Sequence, residues 1–140
     1  IEHKLPVPTP IACAVIQTGA CYRADLLTSR ITNAKDLVAI LSEQEVDQRL
    51  WQEVGKVIKR FHDHGVYHHD LNIHNILIDE QEKVWLIDFD RGKVIKPAAK
   101  WQQANIARLQ RSFLKEQHRL DKFYWQREEF EALMLGYQST

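Results

Sequence analysis

The stretch His68-His69-Asp70-Leu71-Asn72-Ile73-His74-Asn75, with Ile87-Asp88-Phe89-Asp90 further on, is where residue type and spacing could do chemistry. Asp70 is a carboxylate able to accept a hydrogen bond from an alcohol. Asn75 follows five residues later, close enough for a tight loop to present its amide oxygen beside that carboxylate. Asp88 comes thirteen residues after Asn75, at the far end of two short β-type runs. A two-stranded ribbon with a turn of about five residues folds those ends together. One carboxylate to orient a hydroxyl, and amide and carboxylate oxygens to hold Mg²⁺, are what phosphoryl transfer asks of a protein. The phosphates themselves fill the remaining metal positions.

The surrounding elements must position those groups. Pro6, Pro8 and Pro10 exclude helix at the start. Residues 11–17 read as a strand, Gly19 as its turn and residues 22–28 as the return partner. Asn33 and Asp36, as cap and third helical residue before Leu37, Ile40 and Leu41, predict a short helix from about Ala34. Leu50, Val54, Val57, Ile58 and Phe61 form one apolar stripe of a second helix, which Gly65 stops. Residues 68–75 are polar and without period, hence a loop. Residues 76–78 and 84–87 predict a hairpin around the turn 79–83. Beyond Pro97, Ile106, Leu109 and Phe113 mark one helix, and Phe130, Leu133, Met134 and Tyr137 another.

At 140 residues, 44% hydrophobic and 27% charged, the chain amounts to about one globular domain, which excludes disordered, collagen-like and coiled-coil proteins. Its longest apolar run, residues 11–16, is far too short to cross a bilayer, and the opening does not read as a signal segment. Two cysteines, Cys13 and Cys21, make no disulfide framework. A reducing compartment is expected, with both as buried or half-buried thiols on facing strands. Met134 is the only methionine, so the chain is expected to be a fragment or processed piece of something longer. Net charge is zero, yet residues 91–127 hold ten Lys/Arg against Glu116 and Asp121, about +8. That polarity favours anionic partners, unless it is a solvated helix face. Arg108, Arg111, Lys115, Arg119 and Lys122 recur at three or four and are expected to share a face. No nucleic-acid motif is present, and no nucleic-acid partner is expected.

The order of these motifs resembles the protein-kinase-like superfamily. The His-x-Asp-Leu-x-x-x-x-Asn catalytic loop appears as His68-His69-Asp70-Leu71 through Asn75, with His69 where protein kinases carry Arg. The Asp-Phe-Gly metal motif appears as Asp88-Phe89-Asp90. The missing Arg removes the usual anchor of a phosphorylated activation loop. Only fifty residues follow Asp90, without an Ala-Pro-Glu motif, which points to a small-molecule or glycolipid acceptor. Together with Tyr22-Arg23-Ala24-Asp25-Leu26-Leu27, Asp90-Arg91-Gly92 and the run from Trp101 through Asn105 to Ser112, the sequence is similar to the 3-deoxy-D-manno-octulosonic acid (Kdo) kinases. These belong to the lipopolysaccharide core kinase family of Gram-negative bacteria.

The resemblance implies an α+β, protein-kinase-like fold: residues 1–32 as a remnant of the N-lobe (β-hairpin and hinge) and residues 33–140 as the helical C-lobe. It implies ATP and Mg²⁺ as cofactors and a Kdo-bearing lipid A precursor, phosphorylated at the Kdo 4-hydroxyl, as acceptor. It also implies peripheral association with an anionic membrane surface, the cytoplasmic face of the inner membrane, and no stable protein partner is inferred. Asp70 would orient the acceptor hydroxyl, and Asn75 and Asp88 would hold the metal. His68 would pack under Phe89 and hold the loop. Asp90 would bind a second metal or shape the turn. Backbone groups of Ser29 and of Arg30 or Ile31 would meet adenine. Nothing in the chain matches the family's Gly-rich loop, its phosphate-binding Lys or that lysine's Glu partner, so these 140 residues alone are expected to be inactive.

Competing readings are a choline- or aminoglycoside-type phosphotransferase, which usually has Gly at the position of His69, and a non-catalytic kinase-like binding module. Five of the seven histidines (His62, His64, His68, His69, His74) fall within thirteen residues, so an HD-type metal phosphohydrolase is a further alternative. Asp70 and Asn75 could also form a plain Asx-rich turn. Trp51, Trp85, Trp101 and Trp125 are expected in the core or at interfaces.

Overall fold

After a bend at Pro6, the chain enters β1 (Pro10–Thr18), which pairs antiparallel with β2 (Cys21–Thr28) across a turn where Gly19 takes φ +61°. The computed structural model describes residues 4–139; residues 1–3 and 140, the outer ends of the 1–32 and 33–140 segments, lie outside the described residues. Every residue of the ribbon is exposed, Ile11, Val15, Ile16, Tyr22, Leu26 and Leu27 included. The expectation of buried or half-buried thiols therefore fails: with no element among the described residues covering either face, Cys13 and Cys21 are exposed free thiols.

Downstream of the ribbon the elements alternate in short pieces. They run β3 (Lys35–Asp36), α1 (Leu37–Glu43), α2 (Gln48–Asp63), β4 (Val66–Tyr67), β5 (Ile76–Ile78), β6 (Val84–Leu86), β7 (Lys93–Val94), α3 (Ala99–Arg119) and α4 (Arg127–Gln138). Among the described residues the sheets are the β1–β2 ribbon, a three-stranded sheet β3-β5-β6 and the pair β4-β7, all antiparallel. The helix expected from Ala34 starts three residues later. Lys35 and Asp36 are taken into β3, where they pair with Ile78 and Leu77. Asp36 is thus the cap, its carboxylate accepting the Ala39 N–H at 2.9 Å. Asn33 instead bends the chain at φ 52° and donates to Glu80.

The core forms where the α2 stripe meets α4. Trp51, Val54, Ile58 and Leu133 are fully buried, and Trp51 sets its ring edge-on to Phe113 of α3 at 5.6 Å. Two glycines set how closely these helices cross. A Cβ on Gly55 would sit 2.0 Å from the Leu133 carbonyl oxygen, and one on Gly136 2.0 Å from that of Gln52. Trp51 and Trp125 are buried as expected, whereas Trp85 and Trp101 are only half-buried.

Candidate active site

The loop after α2 is polar in sequence but anchored by two apolar residues. Leu71 and Ile73 are buried in the core, and residues Ile73–Asn75 close it with one 3₁₀ turn. This fixes the backbone between Asp70 and Asn75 while leaving the Asp70 side chain exposed. The buried Asn75 amide donates to the Asp70 carbonyl oxygen at 3.0 Å. Its nitrogen thus turned inward, the side-chain oxygen of Asn75 remains available as a hard ligand.

The hairpin brings the strand end that precedes Asp88 against the backbone of Asn75. Ile76 pairs with Leu86, and the next strand-side contact is the Ile87 N–H on the Asn75 carbonyl oxygen at 3.1 Å. Asp88 then takes φ +61°, a left-handed conformation that Asp tolerates better than most residues, and the chain leaves the strand. The Asp90 N–H points back toward Asp88 Oδ1 at 3.4 Å, so its backbone shapes this turn; its side chain is exposed.

His68 joins the two halves. Its Nδ1 receives the Asp70 N–H at 3.2 Å, so the proton sits on Nε2, which donates to the Ile87 carbonyl oxygen at 2.9 Å. Its ring lies 4.6 Å from that of Phe89, which stacks on Phe61 of α2 at 5.4 Å. Burial lowers the His68 pKa, outweighing the Ile87 hydrogen bond and the charges of Asp88 and Asp70, so the imidazole is neutral at neutral pH. The backbone of the loop at Asp70 and that of the strand end at Ile87, just before Asp88, are therefore bridged by one buried histidine.

Three contacts from α3 were not read from the sequence. Ser112 Oγ accepts the Ile73 N–H at 3.0 Å. Glu116, only 4% exposed, takes His74 Nε2 at 3.2 Å and the Arg119 guanidinium at 2.5 Å. Burial would raise the Glu116 carboxyl, but the hydrogen bonds from Arg119 and His74 overcome this and hold it below its usual range. Arg108 Nη1 stands 3.6 Å from Asp70 Oδ1. A serine, a glutamate and an arginine at turns of one helix were the available signal, but the periodic apolar residues identify only the buried face.

The basic face is narrower than its spacing implied. Lys122 falls beyond α3, Arg108 faces Asp70 and Arg119 is held by Glu116. Arg111 and Lys115 are left as exposed cations without a side-chain partner among the described residues. The residues expected at the hinge lie apart from the loop 68–75. Ser29, Arg30 and Ile31 line a cavity of about 240 Å³ against the hairpin turn 79–81, and that cavity includes none of Asp70, Asn75 or Asp88. The Ser29 N–H is already spent on the Thr9 carbonyl oxygen at 2.8 Å, leaving the Ser29 carbonyl, Arg30 and Ile31 for any base. The clustered histidines take separate partners: His62 bonds Tyr137, His68 Ile87 and His74 Glu116, and the His69-Asp70 pair sits on a turn rather than a helix.

The chain matches the lipopolysaccharide kinase (Kdo/WaaP) family over residues 1–137. It is 48% identical over 118 residues to a 3-deoxy-D-manno-octulosonic acid kinase of Photobacterium damsela subsp. piscicida, covering 84% of this chain and 49% of that protein. To the kinase of the same name from Vibrio vulnificus (strain YJ016) it is 47% identical over 140 residues, 99% of this chain and 58% of that one. The Vibrio cholerae protein of that name is 52% identical over 110 residues, 79% of this chain and 46% of its own. Among solved structures, "WaaP in complex with acyl carrier protein" superposes with a TM-score of 0.78 at 18% identity, over 99% of this chain and 61% of that one. The fold is accordingly protein-kinase-like. The chain spans about half the length of the curated relatives it matches.

Proposed function

The chain belongs to the lipopolysaccharide kinase (Kdo/WaaP) family, and from that premise we propose that the full-length protein phosphorylates the Kdo sugar of a lipid A precursor with ATP. The observation that carries this reading is the coupling of Asp70, Asn75 and Asp88 through His68 and the Ile87 backbone. Asp70 accepts the hydrogen bond of the acceptor hydroxyl, the Kdo 4-hydroxyl, and so aims its oxygen at the terminal phosphorus. The new O–P bond forms as the bond to the ADP oxygen breaks, and the hydroxyl proton passes to the Asp70 carboxylate. Asn75 and Asp88 fit a hard divalent cation, having one amide oxygen and one exposed carboxylate free to face it. Mg²⁺, when bound, neutralises phosphate charge. Asp90 shapes the turn that presents Asp88.

In this reading residues 1–32 are the last N-lobe strands and hinge, and residues 33–140 the C-lobe. Arg30 and Ile31, with the Ser29 carbonyl, offer backbone groups to adenine. The exposed Arg111 and Lys115 hold the protein peripherally at the cytoplasmic face of the inner membrane; no helix of the described residues is long and apolar enough to cross it. The 140-residue chain alone turns nothing over, since no counterpart of the phosphate-binding Lys is present. The test is transfer of radiolabelled phosphate from ATP by the full-length protein to a Kdo-bearing lipid A precursor, against choline, aminoglycosides and a generic protein. Labelling of the lipid alone is expected; labelling of choline or an aminoglycoside in its place would overturn the proposal.

A further inference from the structure

Arg108 is the only Lys or Arg within ion-pair distance of Asp70 among the described residues, and the loop 68–75 itself contains neither type. At 3.6 Å, its Nη1 and Asp70 Oδ1 attract without sharing a hydrogen bond. The opposite oxygen, Oδ2, receives the Asn72 amide at 3.0 Å, so Asp70 is oriented from the loop and not by Arg108. The two side chains are 45% and 55% exposed, and Arg108 makes no hydrogen bond and no other ion pair among the described residues. A guanidinium beside the site, with its donors unspent, presents the planar fork that matches a carboxylate or phosphate.

We propose that Arg108 is the specificity-determining residue for an anionic acceptor, binding a carboxylate or phosphate borne close to the hydroxyl that Asp70 orients. The inference rests on the reading of Asp70 given above. With hydrogen bonds of about 2.8 Å at each end, the hydroxyl and the anion lie at most about 9 Å apart, a span that one sugar ring bridges. Neutral sugars and cationic alcohols would reach Asp70 without engaging this group. A sugar acid engages both, its carboxylate on Arg108 and its ring hydroxyl on Asp70. The anion that Arg108 binds is the acceptor's own rather than a phosphate of the nucleotide.

The test compares the full-length protein with Arg108→Gln and Arg108→Lys on a Kdo-bearing acceptor supplied as the free acid and as its methyl ester. Arg108→Gln is expected to raise KM for the acid by about ten- to a hundredfold, the worth of a hydrogen bond to a charged group. KM for ATP should stay within about twofold on the same grounds, because the nucleotide makes no such bond. The ester should already bind poorly to the unmutated protein and be little affected by the substitution, and Arg108→Lys should recover part of the preference. Equal loss on acid and ester, or a rise in KM for ATP instead, would overturn the assignment. Failure of the unmutated protein to phosphorylate either acceptor would overturn the functional reading, and this inference with it.

Discussion

The Asn75 side-chain amide donates to the Asp70 backbone carbonyl at 3.0 Å, tying together the two ends of the loop that carry the proposed metal ligand and the proposed hydroxyl acceptor. Loop and hairpin are then linked by the Ile87 N–H on the Asn75 carbonyl and by His68. A small movement of the loop therefore disturbs both partners at once, and residues that brace it from α3 should matter to turnover without touching substrate.

Glu116 is the first such brace. Replacing it by Ala leaves His74 and Arg119 without their shared acceptor. Stability should fall by about 1–3 kcal/mol, and kcat by about tenfold as the loop loosens. KM for ATP should hardly change. Steady-state kinetics with urea unfolding checks this, and an unchanged kcat in a destabilised protein would reduce Glu116 to a packing role.

Stability should also fall on mild acidification. Burial lowers the His62 pKa from 6.5 to about 4, and the ring sits with Nδ1 2.7 Å from the Tyr137 hydroxyl. The unfolded chain takes up the proton first, so stability is complete above pH 6.5 and is lost as pH falls toward 4. The loss amounts to about 3 kcal/mol by linkage. His68, lowered for the same reason, adds to the slope. His62→Gln, which cannot titrate, should flatten but not abolish it; a slope unchanged by that substitution would contradict the assignment.

Membrane association should depend on Arg111 and Lys115. Reversing both to Glu should weaken binding to anionic vesicles at low salt by tenfold or more, each cation being worth about 1 kcal/mol near such a surface. Arg119→Glu is a poor probe, since it would set a carboxylate against the buried Glu116. Sedimentation with vesicles reads the effect, and unaltered binding would make these charges a solvated helix face.

What the sequence revealed and what it hid follow from the range of the interactions. The α2 stripe and the hairpin at 76–87 are local patterns, so periodicity and turn chemistry suffice for them. β4 and β7 leave no mark in the sequence because two-residue strands carry no pattern. Their pairing depends on Gly65, whose φ of +71° brings its carbonyl to the Ile95 N–H at 2.8 Å. The start of α1 differs from its local pattern for a similar reason, since Asp36 owes its place to Leu77, forty-one residues away. Asp70, Asn75 and Asp88 were visible as a spaced motif. The contacts of Ser112, Glu116 and Arg108 with the loop have no such pattern, because only the packing of α3 gives them that role.

Asp70 is the residue on which acceptor phosphorylation should depend most directly. In the full-length protein, Asp70→Asn keeps the size and the loop hydrogen bonds to the backbone but removes the carboxylate that orients the hydroxyl. Turnover of the Kdo-bearing lipid A precursor should fall by about a hundredfold or more, with ATP binding and thermal stability retained. Asp88→Asn, by contrast, should weaken Mg²⁺ and ATP binding together. Near-normal turnover by Asp70→Asn would contradict the central claim that this carboxylate orients the acceptor.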